Sequence, residues 1–207
     1  MNAHVLIFNL IAPIYGLFFG FQVKKYREFM QTMHEKGYLN GVNKVIDLGF
    51  GTGALLKVFA DNEYDAHGVE ASSLMHRVAK KKLKHTQVRL HQEDVLKGCM
   101  QCPDKSYDMA VSSYVIHGLK KSDRFKFYRE MNRIAKKRIV LYEHSETPSM
   151  GIRIAELLEG GRYFSFIKIA EKELKSFFGN VISLQLSKRI TLFIIEPDDD
   201  KKTFTKT

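Results

Sequence analysis

The stretch Val45-Ile46-Asp47-Leu48-Gly49-Phe50-Gly51-Thr52-Gly53 gathers the residues best suited to hold a small ligand. An apolar run ends in an acid, and glycines then alternate into the start of a helix. Gly49 and Gly51 permit a tight turn with positive φ and put no Cβ between the backbone and a bound group. The helix start after Gly53 offers free N–H groups. Asp47 stands just before the turn, where its charge would oppose a pyrophosphate but suits an ammonium or a sulfonium. Glu70 and Asp94 stand at the ends of two further apolar segments. A carboxylate offers two acceptor atoms at the spacing of vicinal hydroxyls, and it serves an exocyclic amine equally well. His117 is the first candidate base for deprotonating an alcohol, phenol or amine, with Glu143 or His144 the second.

These residues need a scaffold that brings them to one edge. Lys24–Lys36 reads as a helix from Tyr26, Phe29, Met30 and Met33 at three- and four-residue spacing. The chain then alternates: strand Lys44–Leu48, helix Ala54–Ala60, strand Ala66–Glu70, helix 74–84 capped by Ser72 or Ser73, strand Gln87–His91. Strand Tyr107–Ser113, a helix from a Ser122 cap to about Ala135, and strand Arg138–Tyr142 follow. Such alternation implies a parallel sheet with helices on both faces. Val181–Leu186 and Arg189–Ile195 have little between them and should form an antiparallel hairpin. The expected fold is α/β, a Rossmann-like, doubly wound, mostly parallel sheet of seven strands ending in that hairpin.

Alone, Gly49-x-Gly51-x-x-Ala54 also satisfies the dinucleotide fingerprint, with Glu70 about where a ribose-binding acid belongs. Asp47 weighs against that ligand, and Tyr-x-x-x-Lys is absent at all nine tyrosines. Val45–Gly53 resembles motif I of the class I S-adenosylmethionine-dependent methyltransferases, and the resemblance runs from about Val42 to Ile195. It implies S-adenosylmethionine as cofactor, held by Asp47, Gly49, Gly51 and Gly53, by Glu70 on the ribose hydroxyls, and by Asp94 and Val95 at the adenine. It also implies that substrate meets cofactor between Ser112 and His117. Phe8-Asn9-Leu10-Ile11-Ala12-Pro13-Ile14-Tyr15 is similar to the opening of ubiquinone/menaquinone-type small-molecule methyltransferases, which implies that Tyr15 closes over the cofactor. Those enzymes follow the tyrosine with Asp, where Gly16 stands here.

The acceptor is narrowed by what is missing. After the fourth strand stands Ser112-Ser113-Tyr114-Val115, without the Asn or Asp before Pro-Pro-Tyr of base amino-methylation, and no Pro-Cys nucleophile is present. The chain carries 33 Lys and Arg against 23 Asp and Glu, a net charge of +10. Two basic stretches, 77–89 and 120–138, account for much of it. Right-handed crossovers running in opposite directions put their helices on opposite faces, so no single nucleic-acid groove is expected. The expected partner is a small-molecule methyl acceptor with an O, N or C nucleophile. An RNA or protein methyltransferase is the alternative; a dinucleotide-dependent oxidoreductase or a non-catalytic cofactor-binding protein trails.

At 207 residues one domain fits, taken as 1–196. Within it, 1–41 is a helical lid, 42–142 the cofactor-binding core, 143–166 a substrate cap, and 167–196 a helix with the hairpin. Residues 197–207 read as a disordered tail. Val5 to Val23 is nearly long enough to span a bilayer, but Pro13 and Asn9 interrupt it, which favours a lid; peripheral membrane contact is the competing reading. Cys99 and Cys102 lack a second pair for zinc, so no metal site is expected and reduced thiols in a cytoplasmic protein are.

Overall fold

Short apolar runs become strands here because each is bounded by turn residues and followed by a helix with one apolar stripe to bury against them. The computed structural model describes residues 16–145 and 166–198. They form α1 (Phe19–Glu35), β1 (Lys44–Leu48), α2 (Ala54–Asp61), β2 (Asp65–Val69), α3 (Ser73–Lys82) and β3 (Arg89–His91). Then come β4 (Tyr107–Ser113), α4 (Lys121–Ile134), β5 (Ala135–His144), α5 (Ala170–Phe178), β6 (Val181–Ser187) and β7 (Ile190–Ile195). Single 3₁₀ turns, Val95–Lys97 and Ile116–Gly118, follow β3 and β4.

One seven-stranded sheet has the order β3-β2-β1-β4-β5-β7-β6. Strands β1 to β5 are parallel, and β7 runs antiparallel to both β5 and β6, which is the expected hairpin. Side chains alternate between the two faces. Val45, Met109, Val111 and Val140 join Phe29 of α1, Phe59 of α2 and Ala79 of α3. Ile46, Leu48, Ala110, Ile139 and Leu141 join Phe127 and Tyr128 of α4 and Leu174 and Phe177 of α5. The two basic helices, α3 and α4, therefore lie on opposite faces, as the crossover argument required. From the β3 edge the chain returns to the middle as β4, so the winding reverses between β1 and β4. Outside the carboxyl ends of those strands a sheet of this kind opens a crevice for a ligand.

Several local expectations shift. Helix α1 begins at Phe19 rather than Lys24, because the apolar segment itself continues as helix. Ser72 caps α3 by accepting from the Met75 N–H at 3.1 Å. Ser122 caps nothing: α4 starts at Lys121 after Lys120, with no side-chain cap. Strand β5 begins at Ala135, where the backbone turns straight from helix to strand, and reaches His144 because β7 pairs with it as far as Ile190. Glu143 and His144 thus belong to the sheet and not to the expected cap. The rest of that cap from 146 to 165, residues 1–15 with Tyr15, and the tail beyond 198 lie outside the described residues.

The cysteines correct the expectation of reduced thiols: Cys99 and Cys102 form a disulfide. A tight turn, in which the Cys102 N–H donates to the Cys99 carbonyl at 3.2 Å, brings their Cα atoms within 5.3 Å, inside the range a bridge needs. Arg133 donates to both cysteine carbonyls and Glu130 accepts the Cys99 N–H, so α4 fixes the loop. The cysteines therefore give no ground for a reducing compartment. None of the described helices is long and apolar enough to cross a membrane.

Candidate active site

The glycine turn sits at the carboxyl end of β1. Gly49 has φ +81°, and a Cβ placed on it would lie 2.6 Å from Val115 Cγ2, so only glycine lets the segment after β4 close on the turn. Gly53 has φ +80° and packs as tightly on Leu83, past the end of α3. Gly51 faces open space, and its N–H donates to Glu70 Oε2 at 2.9 Å. The other Glu70 oxygen accepts from the Ser72 N–H at 2.8 Å. The carboxylate as a whole keeps acceptor capacity for a further donor. Burial raises the Glu70 carboxyl above its ordinary range, against the pull of these backbone donors.

Asp47 is 1% exposed, and neither of its carboxylate oxygens has a hydrogen-bond partner. Burial pushes its carboxyl well above the carboxylate range, and the neighbouring Glu70 adds to the effect. A partnerless buried carboxylate is costly, and a cation beside it removes the cost. Asp94 opens the 3₁₀ turn after β3 and accepts from the Leu96 N–H at 3.1 Å, with Val95 buried beneath it. Ser112 is also buried, and its hydroxyl donates to the Leu48 carbonyl at 2.7 Å, tying β4 to β1 beside the turn.

On the other side of the turn, β4 and β5 end in a cluster of rings. Tyr114 has φ +57°, an uncommon conformation for a non-glycine residue. Its N–H donates to the Tyr142 carbonyl at 2.9 Å. The Tyr114 ring lies 4.2 Å from that of His144 and 5.1 Å, edge-on, from that of Tyr142. Tyr26 of α1 reaches across to donate to Ser113 Oγ at 2.9 Å. Burial raises all three phenols, Tyr142 to about 12, so they act here as neutral groups.

His117 lies in the 3₁₀ turn after β4, and its Nδ1 is 2.7 Å from Oε2 of Glu143, the penultimate residue of β5. The second Glu143 oxygen accepts the Ile116 N–H at 3.1 Å, and the carboxylate is 1% exposed. A carboxylate only accepts, so Nδ1 carries the proton and Nε2 is the basic nitrogen. His144, 5.8 Å from His117 between ring centroids, is driven down to about 3 by burial and then by His117. It stays neutral and is a poor base.

The structure thus brings Asp47, Gly49, Gly51, Gly53, Glu70, Ser112, His117 and His144 to the carboxyl edge, with Asp94 and Val95 after β3. Tyr114, Gln22 and Thr52 were not singled out from the sequence. Thr52 Oγ1 donates to Gln22 Oε1 at 2.7 Å, which fastens α1 to the glycine turn. Only the apolar pattern around Gln22 pointed towards such a contact.

Residues 45–138 match the methyltransferase domain family. An uncharacterized methyltransferase of Anoxybacillus flavithermus is 33% identical over 94 residues, which cover 45% of this chain and 41% of that protein. The chain thus spans about two fifths of the length of that relative. Among solved structures, an S-adenosylmethionine-dependent methyltransferase of Aquifex aeolicus superposes with a TM-score of 0.62 at 15% identity, over 82% of this chain and 89% of that one. The magnesium protoporphyrin IX methyltransferase of Synechocystis with bound SAH gives 0.59 at 16% identity, over 85% and 83%. Over residues 45–138 the chain is thus similar to a methyltransferase domain, and its fold is that of enzymes that use S-adenosylmethionine. The residues present fit that molecule. The orphaned Asp47 carboxylate calls for a cation, Glu70 keeps acceptor capacity, and the glycine turn admits a ligand against the backbone.

Proposed function

We propose that the protein methylates a small-molecule acceptor whose O–H or N–H is deprotonated by His117. Bound S-adenosylmethionine supplies an electrophilic methyl group beside a sulfonium. Asp47 would face its positive end, Glu70 the ribose hydroxyls, and Asp94 with Val95 the adenine. The carrying observation is the His117–Glu143 pair, 2.7 Å apart and held at the edge where Val115 closes on Gly49. Glu143 positions the imidazole and stabilises its protonated form, while Nε2 takes the acceptor's proton. Tyr114, Tyr142 and His144, all neutral, supply an aromatic wall that keeps water from the reacting atoms. The separation of α3 and α4 onto opposite faces supports a small acceptor over a nucleic acid.

Labelled S-adenosylmethionine incubated with a cell extract, then fractionated into small molecules, RNA and protein, tests this reading. Label should enter the small-molecule fraction with the native protein and drop about 10²-fold or more with His117→Gln, the range general-base catalysis supplies. Label confined to RNA or protein would overturn the small-molecule acceptor. Transfer unchanged by His117→Gln would remove the base.

A further inference from the structure

The start of α1 and the whole of α3 meet beside the glycine turn. A Cβ on Gly16 would touch Val78 Cγ1 at 3.3 Å, and Lys82 Nζ lies 5.3 Å from the centre of the Phe19 ring. Gln22 holds Thr52, while Ala79 and Leu83 lie against Gly53. The outward sides of this joint are unusual. Leu17, Phe18 and Phe21 are 84%, 56% and 63% exposed, large apolar side chains next to one another on one helical turn. Scattered exposed hydrophobics are ordinary, but a contiguous set marks a contact surface.

Along α3, which meets the start of α1, the charge has one sign. Lys24 follows one turn on, and α3 contributes Arg77, Lys80, Lys81 and Lys82, with Lys84 just beyond, all exposed. Arg77, Lys80 and Lys84 repeat at helical spacing. Among the described residues no carboxylate forms an ion pair with any of these six cations. A surface of large apolar side chains beside unneutralised Lys and Arg has the composition of an interfacial anchor. The apolar groups enter the acyl boundary while the cations stay among anionic headgroups.

We infer that Leu17, Phe18 and Phe21, together with the cationic face of α3, form a docking surface for an anionic lipid bilayer. Docking there lays the glycine turn next to the membrane. The other polyanion, RNA, would use the cations alone and leave the three apolar side chains in water, so the bilayer fits the whole surface. This inference is independent of the acceptor and of His117.

Sedimentation of the full chain with vesicles of phosphatidylcholine, alone or mixed with phosphatidylglycerol, tests it. Binding should need the anionic lipid and weaken as salt rises. Lys80→Glu, Lys81→Glu and Lys84→Glu together should cut it by well over tenfold, since one cation near such a surface contributes about fivefold. Leu17→Ser, Phe18→Ser and Phe21→Ser together should also release the protein, by tenfold or more, while S-adenosylhomocysteine binding persists as the check that each variant is folded. Equal sedimentation with both vesicle types, or none with either, overturns the proposal. So does binding unaffected by the apolar variant, or an RNA that binds tightly at physiological salt and displaces the vesicles.

Discussion

At the scale of single residues, Asp47 exposes the conflict between stability and ligand binding most directly. Both carboxylate oxygens are buried without partners, and burial raises its pKa well above the ordinary value. Burial therefore opposes its negative charge, which a cation beside it would favour. Asp47→Asn should stabilise the ligand-free protein by about 1–3 kcal/mol at neutral pH, the scale of an unsatisfied buried group, while weakening S-adenosylhomocysteine at least tenfold. Thermal melts and calorimetry would check both, and a variant that loses stability would remove the orphaned charge from the argument. Glu143 is the complementary case, a buried carboxylate with both oxygens used. Glu143→Gln should lower kcat about 10-fold to 100-fold, the usual effect of losing a partner that orients a functional imidazole, with KM little changed. It should also move the acid limb of the pH–rate profile; a merely structural role would leave that limb in place. The placement of Asp47 and the glycines at one turn was legible in the sequence because their types and order lie within one strand–turn–helix unit, and that of Glu70 because it ends the next apolar run. The His117–Glu143 pair was not, since the two residues stand 26 apart and meet only through the parallel pairing of β4 with β5.

At the scale of elements, the site depends on how closely the segment after β4 approaches the glycine turn. Gly49→Ala would combine a φ of +81° with a Cβ 2.6 Å from Val115. Strain and overpacking together should cost about 2–4 kcal/mol. Pairing it with Val115→Ala should recover the steric part and leave the backbone part, which urea denaturation can separate. A second contact holds α4 to α5. Arg124 forms a buried bidentate pair with Glu173 at 2.7 and 2.6 Å, and Tyr128 donates to the same carboxylate at 3.0 Å. Arg124→Met alone should cost about 3–5 kcal/mol because it leaves the Glu173 charge buried without its cation, whereas adding Glu173→Leu should restore much of that loss. If the double variant is no more stable than the single, the pair is not the source of the cost. The alternation of strands and helices, the terminal hairpin and the separation of α3 from α4 onto opposite faces followed from apolar periodicity and crossover handedness. Element ends did not: α4 runs into β5 at Ala135 through Lys136 and Lys137, whose polarity hides a strand edge, and only pairing with β7 carries β5 to His144.

At the scale of the whole molecule, stability against acid is set by buried groups that pull in opposite directions. His144 is held down to about 3 by burial, and His67, enclosed by Tyr107, Asp65, Arg89 and Lys44, is also lowered. Below about pH 6.5 an unfolded histidine takes a proton that the folded one refuses, so each contributes stability at neutral pH that is lost as the pH falls. The slope is about 1.4 kcal/mol per pH unit for each group while only the unfolded form is protonated. Asp47 and Glu70 have the opposite sign. Their folded pKa values lie above the unfolded ones, so their penalty is present at neutral pH and is relieved as the pH falls. Total stability against pH is thus a poor readout, and differences between variants are a clear one. His144→Phe should gain on the native protein steadily from pH 7 towards pH 4, whatever constant offset its packing introduces. Asp47→Asn should start ahead at pH 7 and lose its advantage over the same range. Urea denaturation of the three proteins at pH 7, 6, 5 and 4 would show the two difference curves tilting in opposite senses. Flat curves for both variants would mean that neither His144 nor Asp47 carries the buried charge cost assigned to it.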